Sequence, residues 1–562
     1  MMRAGLVVSL CCLLACGPKE RTSGDDDDDG TDGPGGGCAL QCSEDTHEIL
    51  DCNGNLVSEC SGNTACDSGL LTCVDACTAA ETNKRSVGCE YQAISMDVAT
   101  AGYCFAAFVA NTWTSPVKIS VKYQGVDLPV ANFVRLPVGS GPGLTYAPYD
   151  PAVGLAPNEV AILFLSGGTG ASPLCPVGSA IPDASVFGTG LGNTFQIQTD
   201  VPVVAYQINP YGGGSAAVTA GSLLLPTSAW DTEYIAVNVS PSGIAGNPSM
   251  NIIAKEDNTV ATITPVTAIN GGPGVSGGPA GQPFNITLQK GQQVQITQAG
   301  ELTGSVVTAD KPIGFMAGQP CMNMPTNVAY CDHGEQMVPP VRALGNKSIG
   351  VMYRPRVGAE TKTFWRIIGA VDGTTLTWSS SVGGPVTLDR GQAIQFETGT
   401  PFTVTSQDAD HPFMLFTYMS GSQYVSEGFG DPDFVYNVPP AQYLKQYVFF
   451  TDPTYPETNL VITRARGADG QFRDVTLDCL GPVLGWQAVD ADLEFARVDL
   501  VTGNFQPVGA CSTGRREIRS DAPFGLQVWG WGTPNTTDFT ANVSYGYPGG
   551  MNVKPINDVV LQ

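Results

Sequence analysis

The sequence is poor in the side chains on which most enzymes and nucleic-acid-binding proteins depend. Only 14% of its residues are charged, it contains three histidines, and its 27 Lys and Arg are outnumbered by 52 Asp and Glu. The net charge of −25 repels phosphate backbones and no basic stripe is present, so we exclude nucleic acid as a partner. No nucleophile–base pair emerges from the residue spacing either. These absences disfavour an enzyme.

Apolar runs long enough for a membrane-spanning helix are also missing at the start of the chain. In MMRAGLVVSLCCLLAC, about a dozen apolar residues follow Arg3, a length typical of an export signal. Leu13-Leu14-Ala15-Cys16 resembles a bacterial lipobox, and an ordinary secretory signal is the alternative. We therefore expect residues 1–15 to be a signal peptide and Cys16 to be lipidated. That modification predicts a lipid-anchored protein of the outer membrane or cell surface.

A tether and a cysteine-rich module are expected next. Residues 16–37 have almost no apolar side chains and predict a flexible acidic and Gly-rich spacer. Eight cysteines follow within residues 38–89, a density that predicts a disulfide-stapled module of unassigned connectivity. Zinc is an alternative, but no Cys-x2-Cys pair occurs, so we assign no metal. Calcium binding is left open because the chain has many carboxylate oxygens, but no residues are assigned to it. We expect no cofactor.

Six further cysteines are even in number and permit complete pairing. Cys321 and Cys331 flank a short loop, and Cys479 and Cys511 lie in the last part of the chain. We expect both to be local disulfides. Cys104 and Cys175 remain. They pair either with each other or with cysteines of the module, for example Cys89.

A short stretch, Asp-x-Pro followed by apolar residues, occurs four times. The copies begin at Asp200, Asp310, Asp410 and Asp521, at intervals of 110, 100 and 111 residues. Such regular spacing indicates a repeat architecture. Proline lacks a donor and favours the first residue of a strand, and Asp can close the preceding turn. The apolar run after each proline predicts the buried central strand of one β unit.

The composition predicts an all-β fold. With 68 Gly and 41 Pro, few helices can form, whereas many short strands joined by turns can. Four tandem units of about 100 residues, each with about seven strands, favour sandwich or jelly-roll-like repeats. A β-propeller with two blades per repeat is the alternative. The expected repeats are residues 90–221, 222–334, 335–432 and 433–562, the last with a C-terminal tail.

Five segments carry a family resemblance. They are LLLPTSAWDTEYIAV (223–237), KEDNTVATITP (255–265), ITLQKGQQVQI (286–296), TADKPIGFMAG (308–318) and NKRSVGCEYQAISMD (83–97). With these, the chain over about 85–532 resembles the IgGFc-binding protein N-terminal domain family. The resemblance implies a secreted or surface binding domain without assigned catalytic residues. Immunoglobulin binding is not implied, because the family name comes from one mucus-associated animal protein.

Two places could carry chemistry or binding. His333, in Cys331-Asp332-His333-Gly334-Glu335, is the best single candidate for metal or acid–base work, but we assign no catalytic residue. Trp529 and Trp531 share one face of a strand and could form a weak binding platform, unless the next strand covers them.

The expected function is therefore that of a lipid-anchored binding or adhesion protein, which presents its β-repeat loops to a protein or glycan. A secreted hydrolase and a structural envelope protein are the alternatives.

Overall fold

A computed structural model describes residues 39–168, 174–212, 218–238, 246–425, 429–535 and 542–561. The predicted signal peptide, Cys16 and the tether lie outside the described residues. Among the helices of the described residues, none has the length and apolar character that crossing a membrane requires. The fold is all-β, as the composition predicts.

The cysteine-rich module is small and stapled. It contains β1 (Gln41–Cys42), β2 (Glu48–Leu50), β3 (Leu56–Glu59), β4 (Thr64–Asp67), β5 (Thr72–Asp75) and α1 (Ala76–Asn83). Cysteine pairs hold it together, and Cys52 is also disulfide-bonded; the pairs are Cys42–Cys66, Cys60–Cys73 and Cys77–Cys89. Cys89 lies inside the strand that opens the first β segment, which therefore starts ahead of the expected boundary.

The strands after the module fall into four successive segments. The first has β6 (Val87–Ala93), β7 (Phe105–Asn111), β8 (Ile119–Tyr123), β9 (Val126–Asp127), β10 (Val134–Val138), β11 (Thr145–Pro148), β12 (Val160–Ser166), β13 (Gly190–Asn193), β14 (Phe195–Ile208) and β15 (Gly221–Leu224). The second has β16 (Asp231–Ile235), β17 (Ser249–Ala254), β18 (Thr259–Thr264), β19 (Phe284–Leu288), β20 (Gln292–Thr297), β21 (Val306–Met322) and β22 (Asp332–Met337).

The third segment has β23 (Lys347–Gly350), β24 (Thr363–Gly369), β25 (Thr374–Trp378), β26 (Thr387–Leu388), β27 (Ala393–Thr398), β28 (Phe402–Ser406), β29 (Phe413–Tyr418), a single turn α2 (Ser422–Val425) and β30 (Phe434–Tyr436). The fourth has β31 (Leu444–Thr451), β32 (Glu457–Ala465), β33 (Val475–Leu477), β34 (Gly481–Pro482), β35 (Gln487–Ala488), β36 (Leu493–Thr502), β37 (Gln506–Pro507), β38 (Gly514–Trp531) and β39 (Ser544–Pro548).

Each Asp-x-Pro stretch lies where a strand exchanges one set of partners for another. In β21, the part before Asp310 pairs with β16 and β18, and the part after Pro312 pairs with β17 and β22. The same exchange occurs in β14 and β38, and between β28 and β29. The expectation that proline begins the strand is wrong in three copies, because the strand continues on both sides. Proline is tolerated there because the ladder is interrupted and needs no N–H at that point.

The aspartate of the repeated stretch also acts differently from the expectation. Asp200 Oδ1 accepts the backbone N–H of Lys118 at 2.7 Å, and Asp310 Oδ1 accepts that of Val260 at 2.7 Å. Both donors belong to the neighbouring strand or its start, not to the preceding turn. The carboxylate thus replaces the ladder partner that the bend removes.

Two layers are clearest in the third segment, where they are separate four-stranded sheets. One has the order β23-β28-β25-β26 and the other β27-β24-β29-β30. The ring of Trp365 on β24 meets that of Phe402 on β28 edge to face, with centroids 5.0 Å apart. This face-to-face packing is that of a sandwich-like unit. The division of the chain into four repeats stays a prediction.

The strand that closes each segment lies at the centre of the molecule. β15 contacts β22 and β39, and β30 contacts the same two strands, so these four inner strands form a ring of contacts. The tail after β39 is joined by hydrogen bonds to the end of the cysteine-rich module, to β16, and to the residues that lead into β23 and β31; these bonds join Val553 to Lys84, Leu561 to Glu233, Asn557 to Val341 and Asn552 to Tyr443. The tail therefore fastens the segments to one another.

Candidate binding face

Four loops each lead from an Asp-x-Pro strand to its inner strand, and their described parts lie together at one end of the ring. We name them loop 1 (209–220), loop 2 (323–331), loop 3 (419–433) and loop 4 (532–543). Loops 2 and 3 are joined by Gly421 N–H to Met324 O at 2.8 Å, and loops 3 and 4 by Gly430 N–H to Gly532 O at 3.1 Å. In loop 1, Val218 packs in a cluster against Cys331. The described parts of the four loops thus form one continuous face.

Beneath this face, residues at or just before the starts of the inner strands form a buried polar centre. Ser544 N–H donates to Asp332 Oδ2 at 3.0 Å, Asp431 N–H donates to Ser544 Oγ at 3.1 Å, and Thr219 Oγ1 donates to Ser544 O at 2.8 Å. All four residues are at most 1% exposed, with Asp433 fully buried beside them. One oxygen each of Asp332 and Asp431 lacks a hydrogen-bond partner. Each loop therefore ends on a shared polar network.

Burial raises the pKa of the carboxyl groups of this centre. Desolvation raises the pKa of Asp332 well above its usual range, and the nearby Asp431 and Asp433 raise it further. Desolvation likewise raises the pKa of Asp433 well above normal and that of Asp431 to about 7. Arg356 opposes the shift at Asp431. Three like charges cannot share a buried site, so neutral acids are the stable form.

His333, the sequence candidate for acid–base or metal chemistry, lies in the same region without access to solvent. Its Nε2 is 3.7 Å from Glu335 Oε2, and both side chains are at most 1% exposed. Desolvation lowers the pKa of His333 to about 3 and raises that of Glu335 well above normal. The close contact is therefore one between neutral groups, not an ion pair. Across the described ranges, no group of three His, Cys, Asp or Glu could hold a metal ion.

A buried ion pair supports loop 3 from the side. Arg356 Nη2 lies 2.6 Å from Glu360 Oε1, with both side chains at most 1% exposed. Arg356 Nη1 donates to the carbonyl oxygens of Ser420, Phe429 and Gly430 at 2.8, 3.0 and 3.2 Å. One guanidinium thus ties both ends of the loop to the third segment. Nearly all N–H donors of the Arg356 guanidinium are hydrogen-bonded. These bonds offset the cost of burying its charge.

The outer surface of the face presents two tyrosines. Tyr330 of loop 2 is 59% exposed and Tyr424 of loop 3 is 37% exposed. The hydroxyl of Tyr424 donates to Glu397, whose other oxygen lies 2.9 Å from Lys362 Nζ. Tyrosine is enriched at protein-binding hot spots because it combines apolar area with a polar tip. These two side chains are the best described candidates for contact with a partner.

The binding hypothesis for Trp529 and Trp531 is wrong. Both are fully buried, and the ring of Tyr353 packs over them, with centroids 5.0 Å from Trp529 and 6.2 Å from Trp531. The guanidinium of Arg354 also lies 4.9 Å from the ring centroid of Trp531. The two indoles belong to the core and offer nothing to a ligand. The spacing predicts that the two indoles share one face of the strand, but it cannot predict that Tyr353 packs over them.

The cysteines expected to pair locally do so. Cys321 is bonded to Cys331 at the base of loop 2, and Cys479 to Cys511 in the fourth segment. Of the two alternatives for the remaining pair, the structure has Cys104 bonded to Cys175. The disulfide under loop 2 limits the motion of the segment that carries Tyr330. Sequence reasoning missed Tyr330 and Tyr424, and only their place in variable loops after a repeated strand could have indicated them.

Two sequence comparisons relate this chain to known proteins. The family model described as IgGFc binding protein matches residues 220–530, more than half of the chain and within the expected range of 85–532. The human IgGFc-binding protein is 24% identical over 289 residues, which are 50% of this chain and 5% of that protein. The chain thus corresponds to only a small part of the human relative. On the family match, the chain belongs to the IgGFc binding protein family.

Proposed function

We propose that this protein is a non-enzymatic binding protein that contacts a protein partner through the face formed by loops 1–4. The observation that carries the proposal is the convergence of these loops on one face above a shared polar centre. Loops are the usual carriers of specificity when a rigid scaffold positions them. Family membership supports a binding role and favours a protein as the partner. The buried state of His333 argues against the alternative hydrolase at this site.

Rigidity supports the same proposal. Loop 2 is closed by a disulfide, and loop 3 is held by the donors of Arg356. A pre-organised face loses less conformational entropy when it binds, so more of the contact energy appears as affinity. Tyr330 and Tyr424 are the anchors we propose for the described part of the face. A glycan is the alternative partner, since sugar rings also stack on tyrosine rings.

A direct binding experiment tests the proposal. The full chain is presented to purified secreted and surface proteins, with the Fc fragment of immunoglobulin G among them, and to a glycan array. We expect saturable binding to a protein, weakened roughly 30-fold or more by Tyr330→Ala or Tyr424→Ala. Leu484→Ala, at a side chain 79% exposed in the fourth segment, is the matched control. Absence of saturable binding, or binding that both tyrosine variants leave intact, refutes the proposal.

We also propose that Cys16 carries a lipid and anchors the protein to the outer membrane or cell surface. The apolar segment before it and the small Ala15 support cleavage at this point. The experiment is incorporation of a labelled fatty acid in a bacterial host, with partition into detergent. Label and partition are expected for the native chain and lost in Cys16→Ser, with Cys12→Ser as the control. Equal labelling of the native and Cys16→Ser chains refutes the anchor.

A further inference from the structure

A cleft opens beside β13, the strand of the first segment that pairs with β20 of the second. Its volume is about 320 Å³, at the small end of the range for ligand sites. Polar and apolar side chains both line it; they include Tyr123, Asp183, Phe187, Leu191 and Asn193. Among the described residues, no Lys or Arg and no member of loops 1–4 lines this cleft.

One wall of the cleft carries an aromatic ring that is packed from one side. Tyr123 on β8 lies opposite Phe195 on β14, and their ring centroids are 4.6 Å apart. Phe195 is fully buried, whereas Tyr123 stays partly exposed. Phe187 and Leu191, which are 50% and 40% exposed, add apolar surface to the same cleft. The ring of Tyr123 is therefore held in place by the core and presents its remaining surface to the cleft.

Two polar side chains lie beside the Tyr123 hydroxyl. Desolvation raises the pKa of this hydroxyl, the side chain of Asn193 opposes the shift, and the charge of Asp183 adds to it. The three groups are therefore neighbours. Asp183 Oδ1 accepts the backbone N–H of Ser185 at 3.0 Å, and no donor of the described residues reaches Oδ2. The carboxylate thus has one oxygen left to accept a hydrogen bond from a ligand.

The loop that carries Asp183 and Phe187 is fixed on the second segment. Nε2 of the buried Gln295 on β20 donates to the backbone oxygens of Val186 and Gly188 at 2.6 and 2.7 Å. A ligand therefore meets a pre-organised surface, and less of the contact energy is lost to ordering that surface.

We propose that this cleft binds a neutral sugar ring, which stacks on Tyr123 and hydrogen-bonds through its hydroxyls to Asp183 and Asn193. A pyranose has an apolar face of C–H bonds, which packs on the electron-rich face of an aromatic ring, and an edge of hydroxyl donors. A carboxylate accepts such donors more strongly than a neutral oxygen does. An acidic sugar is disfavoured, because Asp183 repels it and the described lining has no cation to pair with it. This site goes beyond the loop face and does not rest on the proposed protein partner.

Matched pairs of glycosides test this selectivity on the full chain. The methyl glycosides of glucose, galactose and mannose are titrated by saturation-transfer NMR, each beside the uronide that has a carboxylate in place of the CH2OH group. We expect saturable binding of a neutral glycoside and about 5-fold or more weaker binding of its acidic counterpart, because of the charge of Asp183.

Variants locate the sugar in the cleft. Tyr123→Leu should weaken binding of the neutral glycoside about 5-fold, whereas Tyr123→Phe, which keeps the ring, should change it about 2-fold or less. Asp183→Asn can still accept the N–H of Ser185 and should weaken binding about 5-fold, because the acceptor loses its charge. Phe187→Ala removes a half-exposed side chain and should also weaken binding, so it keeps the test decisive if Tyr123→Leu does not fold.

Tyr330→Ala on loop 2 is the control and should leave glycoside binding unchanged, which separates this site from the proposed protein-binding face. The proposal is overturned if no neutral glycoside binds saturably, if the uronides bind equally well, or if Tyr123→Leu and Phe187→Ala both leave the affinity intact. Loss of glycoside binding in Tyr330→Ala would place the sugar on the loop face and would overturn the proposal as well.

Discussion

The buried Asp431 should make stability fall as pH rises, and the substitution Asp431→Asn isolates its contribution. The folded pKa of about 7 lies above the ordinary 3.8, so between these values the folded state binds more protons than the unfolded state. The stability is therefore greatest below pH 3.8 and is lost as pH rises towards 7. At 1.36 kcal/mol per pKa unit, Asp431 costs about 2 kcal/mol at pH 5 and about 4 kcal/mol at pH 8.

The assay is urea unfolding at pH 5 and pH 8, followed by tryptophan fluorescence. Gly430, next to Asp431, packs against Trp531, so the indole reports on this part of the molecule. Asn can still accept the N–H of Ser422 that Asp431 Oδ1 accepts at 2.8 Å. We expect the free energy of unfolding of the native chain to decrease by about 2–3 kcal/mol more than that of Asp431→Asn between the two pH values.

His333 acts in the opposite direction and is common to both proteins. Its folded pKa of about 3 lies below the ordinary 6.5, so its contribution to stability is lost as pH falls through that range. The difference between native and Asp431→Asn cancels this effect. Asp127→Asn, at an exposed carboxylate, is the control and should leave the pH dependence unchanged. An identical pH dependence in the native chain and in Asp431→Asn would refute the reasoning, because it would mean that Asp431 is already ionised at pH 5 in the folded state.

Three further predictions concern the supports of the loop face. Arg356→Met should reduce the free energy of unfolding by about 3–5 kcal/mol, because it leaves Glu360 buried without its ion-pair partner, and Arg356→Met/Glu360→Leu should recover much of the loss in urea titrations. Trp531→Ala should cost about 3–5 kcal/mol by the same measurement, and an unchanged stability would contradict its burial in the core. Replacing Cys321 and Cys331 by Ser should lower stability by about 2–3 kcal/mol and speed proteolysis of loop 2, whereas protection equal to that of the native chain would show that the disulfide does not order the loop.

The sequence was sufficient wherever the signal is local. Glycine and proline frequency predicted few helices, and neighbouring cysteines such as Cys321 and Cys331 paired as expected. The four Asp-x-Pro stretches correctly marked strands with partners on both sides. The turn-closing role expected of the aspartates is wrong for Asp200 and Asp310, because the N–H that Asp310 accepts belongs to Val260, 50 residues earlier in the chain.

The tertiary structure decided what each pattern is used for. Trp529 and Trp531 alternate along their strand as a platform would, yet Tyr353 of the third segment packs over both rings, and no local rule predicts which residue will do so. The convergence of loops 1–4 and the burial of Asp332, Asp431 and Asp433 depend on contacts between the four inner strands, which are about 100 residues apart in sequence. Local propensity and side-chain period thus determined which residues form strands and where the Asp-x-Pro stretches interrupt their pairing. Contacts between residues distant in sequence determined which carboxyl groups are buried with a raised pKa. They also determined which loops form the candidate binding face.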